Sequence, residues 1–224
     1  MERLRHWVLT ALSLALPAPA LAQDDGQAWT QFLAQGPIRG DLVFWAEAQT
    51  RLTDATRATQ TLLRPAIGVR LGRNTTAHFG YAFVHTDPVS GAATDEHRLW
   101  QQLSFPILRT PRGLYVWGRS RIEQRMVEGQ RDTGVRLRQF VRAQMPVRRG
   151  GKLSGVLFVE GFYAVNSTDW GARAGVDQVR SFVGLSIPFG KQVNLEPGYL
   201  NQTVFRRGPD RVNHVASLNL FIRL

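Results

Sequence analysis

Between Leu114 and Met126 the positions Trp117, Arg119, Arg121, Glu123 and Arg125 alternate with Val116, Gly118, Ser120, Ile122 and Met126. Ionic and apolar residues therefore separate onto two faces only if the chain is extended, because a period of 3.6 would scatter both sets around a helix. The dyad recurs from Val135 to Met145, where Arg136, Arg138, Phe140, Arg142 and Gln144 oppose Leu137, Gln139, Val141 and Ala143. It recurs again from Asp41 to Leu52, where Trp45, Glu47, Gln49 and Arg51 oppose Phe44, Ala46, Ala48, Thr50 and Leu52. A chain patterned this way must pair its strands and cover one face of each, which restricts it to all-β architectures.

Ten segments carry the signal, at about 41–52, 59–71, 75–86, 95–105, 113–127, 133–146, 154–166, 176–188, 192–205 and 211–224. Gly72-Arg73-Asn74 and Phe189-Gly190-Lys191 are tight connections, whereas 87–94 and 167–175 are long. Such an asymmetry belongs to outer-membrane barrels, with short periplasmic turns and longer extracellular loops. Arg98, Arg138 and Arg180 are each followed, at a constant spacing, by Pro106, Pro146 and Pro188, which predicts a proline closing each strand as it enters a turn. A soluble barrel and a β-sandwich also alternate, so strand length separates the three. Most of these segments run about 11 to 14 residues, whereas strands of soluble sheets average about 5 or 6 and a tilted membrane strand needs about 9 to 11. The expected fold is a transmembrane antiparallel up-and-down β-barrel.

The first residues fix the expected compartment. Arg3 and Arg5 precede an apolar run, and Ala20-Leu21-Ala22 supplies the small residues of a cleavage site, so 1–22 reads as a signal peptide released before Gln23. The expected destination is the outer membrane of a Gram-negative bacterium. Residues 23–37 are expected to form an N-terminal periplasmic or interfacial segment and 38–224 the barrel. Because bacterial single-chain barrels are even-stranded, ten strands are expected, with twelve as the alternative and both termini periplasmic. The absence of cysteine excludes disulfide scaffolds and thiolate chemistry.

The ordered set Trp29, Trp45-x-Glu47-x-Gln49-x-Arg51, Gly80-Tyr81, Glu96-x-Arg98-x-x-Gln101-Gln102-Leu103, Arg119-x-Arg121-x-Glu123-x-Arg125, Glu160-x-Phe162 and Gly198-Tyr199 resembles the family catalogued as domain of unknown function 2490. The resemblance spans nearly all of the chain after the leader. It implies a bacterial outer-membrane barrel of unknown activity and carries over no catalytic residue.

The net charge of +11 rests on 28 Lys+Arg against 17 Asp+Glu, and Lys152 and Lys191 are the only lysines. Parity sends Glu47, Arg51, Glu96, Arg98, Arg119, Arg121, Glu123, Arg125, Arg136, Arg138, Arg142, Glu160 and Arg180 into the lumen, with Asp41, Arg64 and Glu196 on the same faces. Guanidinium groups stay charged and fork onto carboxylates, so these residues are expected to form a structural lattice filling the barrel. The sharper alternative is an anion path or acidic-ligand site made by the surplus arginines. Trp45, Trp100, Trp117, Phe140, Phe158, Phe162 and Phe182 share the inward parity and argue for a plugged interior, unless bulges turn some of them outward. Phe44, Phe79, Tyr81, Phe83, Phe105, Tyr163 and Tyr199 fall on the outer face as candidate interfacial belts.

His85, His97 and His214, with Asp87 and Asp210, are the residues from which a site at the loop rim would be built. No catalytic or metal-binding constellation is recognisable and no cofactor is implied. The expected function is therefore a non-enzymatic outer-membrane protein with a structural, ligand-binding or narrow anion-transport role. The alternative is a barrel enzyme acting on lipid or peptide at the extracellular rim. Expected partners are outer-membrane lipid, lipopolysaccharide and the barrel-assembly machinery, with no nucleic acid, in a monomeric protein.

Overall fold

A computed structural model describes residues 23–53, 57–88 and 91–224. The proposed leader, 1–22, lies outside the described residues. Among the described residues there are eleven strands and no helix: β1 (Gln23–Arg39), β2 (Leu42–Thr53), β3 (Arg57–Arg70), β4 (Thr76–Thr86), β5 (Thr94–Arg109), β6 (Tyr115–Val127), β7 (Thr133–Pro146), β8 (Ser154–Ala164), β9 (Gly175–Phe189), β10 (Val193–Val204) and β11 (Arg211–Arg223). Each pairs antiparallel with the next, and β1 closes the barrel against β11.

The strand count corrects the expectation of ten or twelve, and the difference lies in β1. Residues 23–37 are not an interfacial segment but a wall strand, paired with β2 from Gln27↔Thr53 and with β11 from Gln23↔Arg211 to Gln35↔Arg223. Its dyad is hard to read because both faces carry apolar residues: Trp29 and Leu33 are buried inside, among Gln27, Gln31 and Gln35, while Phe32 is exposed outside. An odd meander has first and last strands running the same way, so the seam is parallel and the barrel is not wholly antiparallel. The two ends of the described chain consequently lie at opposite rims, not together. One rim, the turn end, carries Leu224 and the connections Gly40–Asp41, 71–75, 110–114, 147–153 and 190–192. The other, the loop end, carries Gln23, residues 87–88 and 91–93, and the connections 128–132, 165–174 and 205–210.

The proline repeat is also modified. Pro146 does end β7, but β5 runs through Pro106 to Arg109, with the register shifting between Pro106 and Leu108 to accommodate a residue that has no N–H to donate.

The core is the lumen. Trp29, Val156, Phe182, Leu200 and Val215 form one buried cluster, and Leu33, Trp45, Ala82 and Trp100 form a second. The aromatic side chains need glycine opposite them. A Cβ at Gly80 would stand 2.6 Å from the Trp100 ring, and one at Gly198 would run into Phe182. These glycines are therefore places where the wall yields volume to an indole and a phenyl ring. Outside, the pattern inverts: Ile67 is 59% exposed, Leu157 57% and Val159 54%, among many other exposed apolar residues.

Gly80→Ala or Gly198→Ala should destabilise the barrel, by about 1–3 kcal/mol for an overpacked site, and so lower its unfolding midpoint. Thermal unfolding followed by tryptophan fluorescence measures the effect. Gly155→Ala, where the nearest atom is the Met145 carbonyl oxygen at 3.9 Å, should be close to neutral.

Candidate functional site

The inward faces of β5 to β8 gather carboxylates and guanidinium groups into ion-paired clusters. Glu123, fully buried on β6, lies opposite Arg136 on β7. Arg136 donates to Glu123 Oε2 through Nη2 at 2.7 Å and Nε at 3.1 Å, and Arg138 donates to Oε1 through Nη1 at 2.7 Å. Arg138 also donates to Glu160 Oε1 through Nη2 at 2.7 Å and Nε at 3.0 Å, so one guanidinium links two acids. Arg119 adds a third hydrogen bond to Glu160 Oε1 at 2.7 Å. Nearer the loop end, Arg98 and Arg125 both fork onto Glu96, at 2.5 to 3.1 Å. Arg142 reaches across the lumen from β7 to grip both oxygens of Glu196 on β10, at 2.5 and 2.7 Å.

Glu47 forms a second node on the opposite wall. It accepts from Arg64 at 2.8 Å, Trp45 Nε1 at 3.1 Å, Gln31 at 2.9 Å and Gln49 at 2.6 Å. Arg121 donates twice to Gln102, lies 3.6 Å from Glu123 and has its guanidinium carbon 4.3 Å from the centre of the Trp100 ring.

Two arginines differ from the rest. Arg51 bonds to the amides of Gln60 and Gln49 and lies 4.1 Å from the centre of the Trp29 ring. Arg180 stands opposite Glu160 in the β8–β9 register, yet its guanidinium carbon sits over Phe162 at 4.7 Å and Trp29 at 5.0 Å. Neither has a salt-bridge partner among the described residues.

Toward the turn end the lumen opens into a chamber of about 640 Å³. Trp117, Phe140 and Phe158 line one side in a ladder, with ring centroids 5.1 and 5.0 Å apart, and Phe182 stacks on Phe158 at 4.8 Å. Leu33, Leu200 and Phe221 continue the apolar wall, and Arg64, Arg138, Arg180 and Glu160 stand at its inner limit. Thr76, Ser104, Tyr115, Asn194 and Leu224 surround the mouth.

All thirteen ionic residues expected in the lumen from parity face inward, and eleven of them join ion pairs; Arg51 and Arg180 do not. The seven inward-parity aromatics also face the lumen, and the bulges at Pro106/Leu108 and Phe162/Tyr163 turn none of them out. Asp41 is the exception among the acids, since it sits exposed in the β1–β2 turn. Sequence reasoning missed Asp177, which receives Arg136, and the Asp25–Arg211 pair across the parallel seam. The second was invisible without β1.

The histidines do not assemble. His85 pairs with Asp95 at 2.6 Å and His97 with the Tyr81 hydroxyl at 2.5 Å, on β4 and β5. His214 meets the Tyr199 hydroxyl at 2.6 Å on β11, with β1, β2 and β3 intervening. His78, the inward histidine, is buried edge-on against Trp45 at 5.6 Å. Among the described residues, no group of three or more His, Cys, Asp or Glu side chains is placed to hold a metal ion.

A family model described as "Protein of unknown function (DUF2490)" matches residues 26–213, which include both lumen nodes and the aromatic ladder. The chain belongs to the DUF2490 family. An uncharacterized protein of Methylorubrum extorquens is 37% identical over 228 residues, covering 98% of this chain and 99% of that protein. No solved structure matches the chain. For this DUF2490 barrel the family thus supplies kinship along the whole wall, and the chemistry must be read from the lumen itself.

Glu123→Gln should be strongly destabilising, because Arg136 and Arg138 keep their charge and lose half of their counter-charge. Stranding a buried ionic partner costs about 3–5 kcal/mol. Chemical denaturation in detergent would register it, and Glu128→Gln in the exposed β6–β7 connection should leave the midpoint within about 0.5 kcal/mol.

Proposed function

We propose that this protein is a non-enzymatic outer-membrane β-barrel whose lumen is closed to conduction by its ion-pair lattice and serves a structural and ligand-binding role. The observation that carries the reading is the inverted distribution of polarity. Charged side chains of the strand interiors face the lumen, whereas the outward positions are mostly apolar, with Gln101, Ser120, Gln124 and Gln139 as polar exceptions that hydrogen-bond to one another. Asp95, the outward carboxylate, is neutral to this argument because it lies near the loop end in contact with His85. A water-soluble barrel arranges these faces the other way, and a wall that exposes isoleucine, leucine and valine around its circumference suits hydrocarbon.

Aromatic placement supports the same reading. Phe44, Phe79 and Phe105 lie outward toward the turn end and Phe83 and Tyr163 toward the loop end, while Tyr81 and Tyr199 start near mid-strand and reach His97 and His214, which lie nearer the loop end. Tyr81 and Tyr199 present hydroxyl groups bound to histidine, a polar edge suited to the headgroup level. Together with the leader, this favours the outer membrane of a Gram-negative bacterium, insertion by the barrel-assembly machinery and contact with lipid and lipopolysaccharide by a monomer. In this orientation the turn end and Leu224 face the periplasm, Gln23 lies at the outer rim, and the chamber opens inward.

Closure follows from dimensions and packing. A barrel of about ten strands is scarcely wider than one filled by side chains, and here arginine forks and rings occupy its middle. Purified protein should migrate differently in SDS before and after boiling, because a closed barrel offers no strand edge from which to unravel. In planar bilayers it should show no single-channel steps. Regular anion-selective steps would sink the closed-lumen reading, and a water-soluble monomer of heat-independent mobility would sink the membrane reading. Cysteines placed in this cysteine-free chain should label on intact cells at Gly129 or Asp169 and stay protected at Gly190.

A further inference from the structure

The lattice neutralises most of the lumen but leaves a cationic centre at the closed end of the chamber. Arg180 lines that chamber and has no salt-bridge partner among the described residues. The acid opposite it in register, Glu160, already accepts from Arg119 and Arg138. With the Gln202 amide turned so that its oxygen faces Arg180, the guanidinium has a neutral partner at 3.0 and 3.2 Å, and the carboxylates near enough to act on it, Glu160 and Glu123, are already paired with other arginines. Arg51 is in the same condition, and the charges acting on it most strongly are other guanidinium groups, those of Arg180, Arg98, Arg64 and Arg138. Trp29 lies against both arginines and screens neither.

A guanidinium taken out of water without an anion is costly, and it cannot escape by losing its proton. The wall leading to it is as informative as the charge. Phe140, Phe158 and Leu200 line the approach, and an inorganic ion seated at Arg180 would leave that apolar surface wet. A chamber of about 640 Å³ lies within the size range of small-molecule sites. We propose that it binds a small organic acid, whose carboxylate is received by Arg180 in the field of Arg51 and whose aromatic or short aliphatic body lies along Phe158 and Phe140. Arg180 supplies the fork that recognises the carboxylate, and Arg51, outside the chamber, raises the local potential. The mouth at the turn end is the route of entry. This inference deepens the ligand-binding reading above and rests on the closed lumen that it assumes.

The test uses the purified full-length barrel in an uncharged maltoside detergent, with 2-naphthoate as probe and calorimetry as readout. The neutral 2-naphthalenemethanol serves as the matched control. Saturable binding of naphthoate at one site is expected, with the alcohol about tenfold weaker or more, the scale of a lost charge-assisted interaction. Arg180→Gln should weaken naphthoate by about tenfold or more, and Arg51→Gln by a smaller factor, since it acts only through the field. Both variants should keep the heat-dependent mobility of the folded barrel, because each removes an arginine that takes part in no ion pair and so leaves no carboxylate stranded. Should Arg180→Gln fail to fold, Arg180→Lys keeps the charge without the fork, and it should still weaken the probe.

Equal affinity for the alcohol and the acid would overturn the proposal, as would unchanged binding in Arg180→Gln or Arg180→Lys, or no binding at millimolar probe. Complete competition by chloride at equal concentration would reduce the site to one for inorganic anions and overturn the organic-acid assignment. Loss of probe binding in a barrel that stays folded and non-conducting defeats the site alone. Conductance in bilayers defeats the closed lumen on which it rests.

Discussion

A guanidinium group cannot shed its charge, so every arginine withdrawn from water must find an anion, an amide or an aromatic face. This barrel places its arginines inside and its aliphatic residues outside, and the interior is organised around that demand. Glu123 illustrates it most fully: a carboxylate with no exposure receives hydrogen bonds from two arginines on the adjacent strand. Arg138 then extends the network to Glu160, so the β6, β7 and β8 faces are tied by shared ions as well as by backbone ladders. Arg142 and Glu196 do the same across the lumen, between strands that are not neighbours in the wall. Replacing such an array with apolar side chains would not necessarily weaken a protein, because burial of ions is itself costly. In a barrel with an apolar exterior, however, an apolar interior would remove the polarity difference that tells the two faces apart, and a one-residue slip of any strand would go unopposed.

Much of this was legible from residue parity. The dyad in β2 and in β5 to β9 placed all thirteen ionic residues on the lumen side, and the hairpin between β6 and β7 was short enough that Glu123 and Arg136 had to face one another. Three things were not legible, each for a physical reason. β1 carries apolar groups on both faces, so no alternation marks it, and a preference for even strand numbers argued against counting it. The Arg142–Glu196 contact depends on barrel curvature, which sequence spacing does not encode. Arg180 lies opposite Glu160 and by register alone would be paired with it; competition from Arg119 and Arg138 for the same carboxylate oxygen decides otherwise.

The count of eleven has structural consequences beyond one extra strand. It makes the seam parallel, puts the ends of the described chain at opposite rims and brings Trp29 into the lumen between the two uncompensated arginines. Had residues 23–37 lain outside the barrel, Arg51 and Arg180 would face a space without an indole. The apolar cluster of Val156, Phe182, Leu200 and Val215 would likewise lose Trp29. The strand that sequence reasoning set aside therefore supplies an aromatic surface on which the unpaired charges rest.

The chamber, finally, is a product of side-chain size along each strand. Toward the turn end some inward positions are small, Thr76 on β4, Ser104 on β5 and Gly184 and Ser186 on β9, beside larger ones such as Trp117, Arg142 and Phe221. In the middle of the wall and toward the loop end they are long and branched, as at Arg98 and Arg125 or Arg136 and Arg138. A cylinder of constant diameter lined this way is full where its side chains reach the axis and hollow where they do not. The Trp117–Phe140–Phe158–Phe182 ladder adds direction to the hollow, since it packs one side with rings that hydrogen-bonding groups cannot wet, while Glu160, Arg138 and Arg180 face it from the closed end. Along the barrel axis the chamber thus runs from a mouth through an apolar throat to a charged floor, and an amphiphile with its acid end leading is the shape that meets all three.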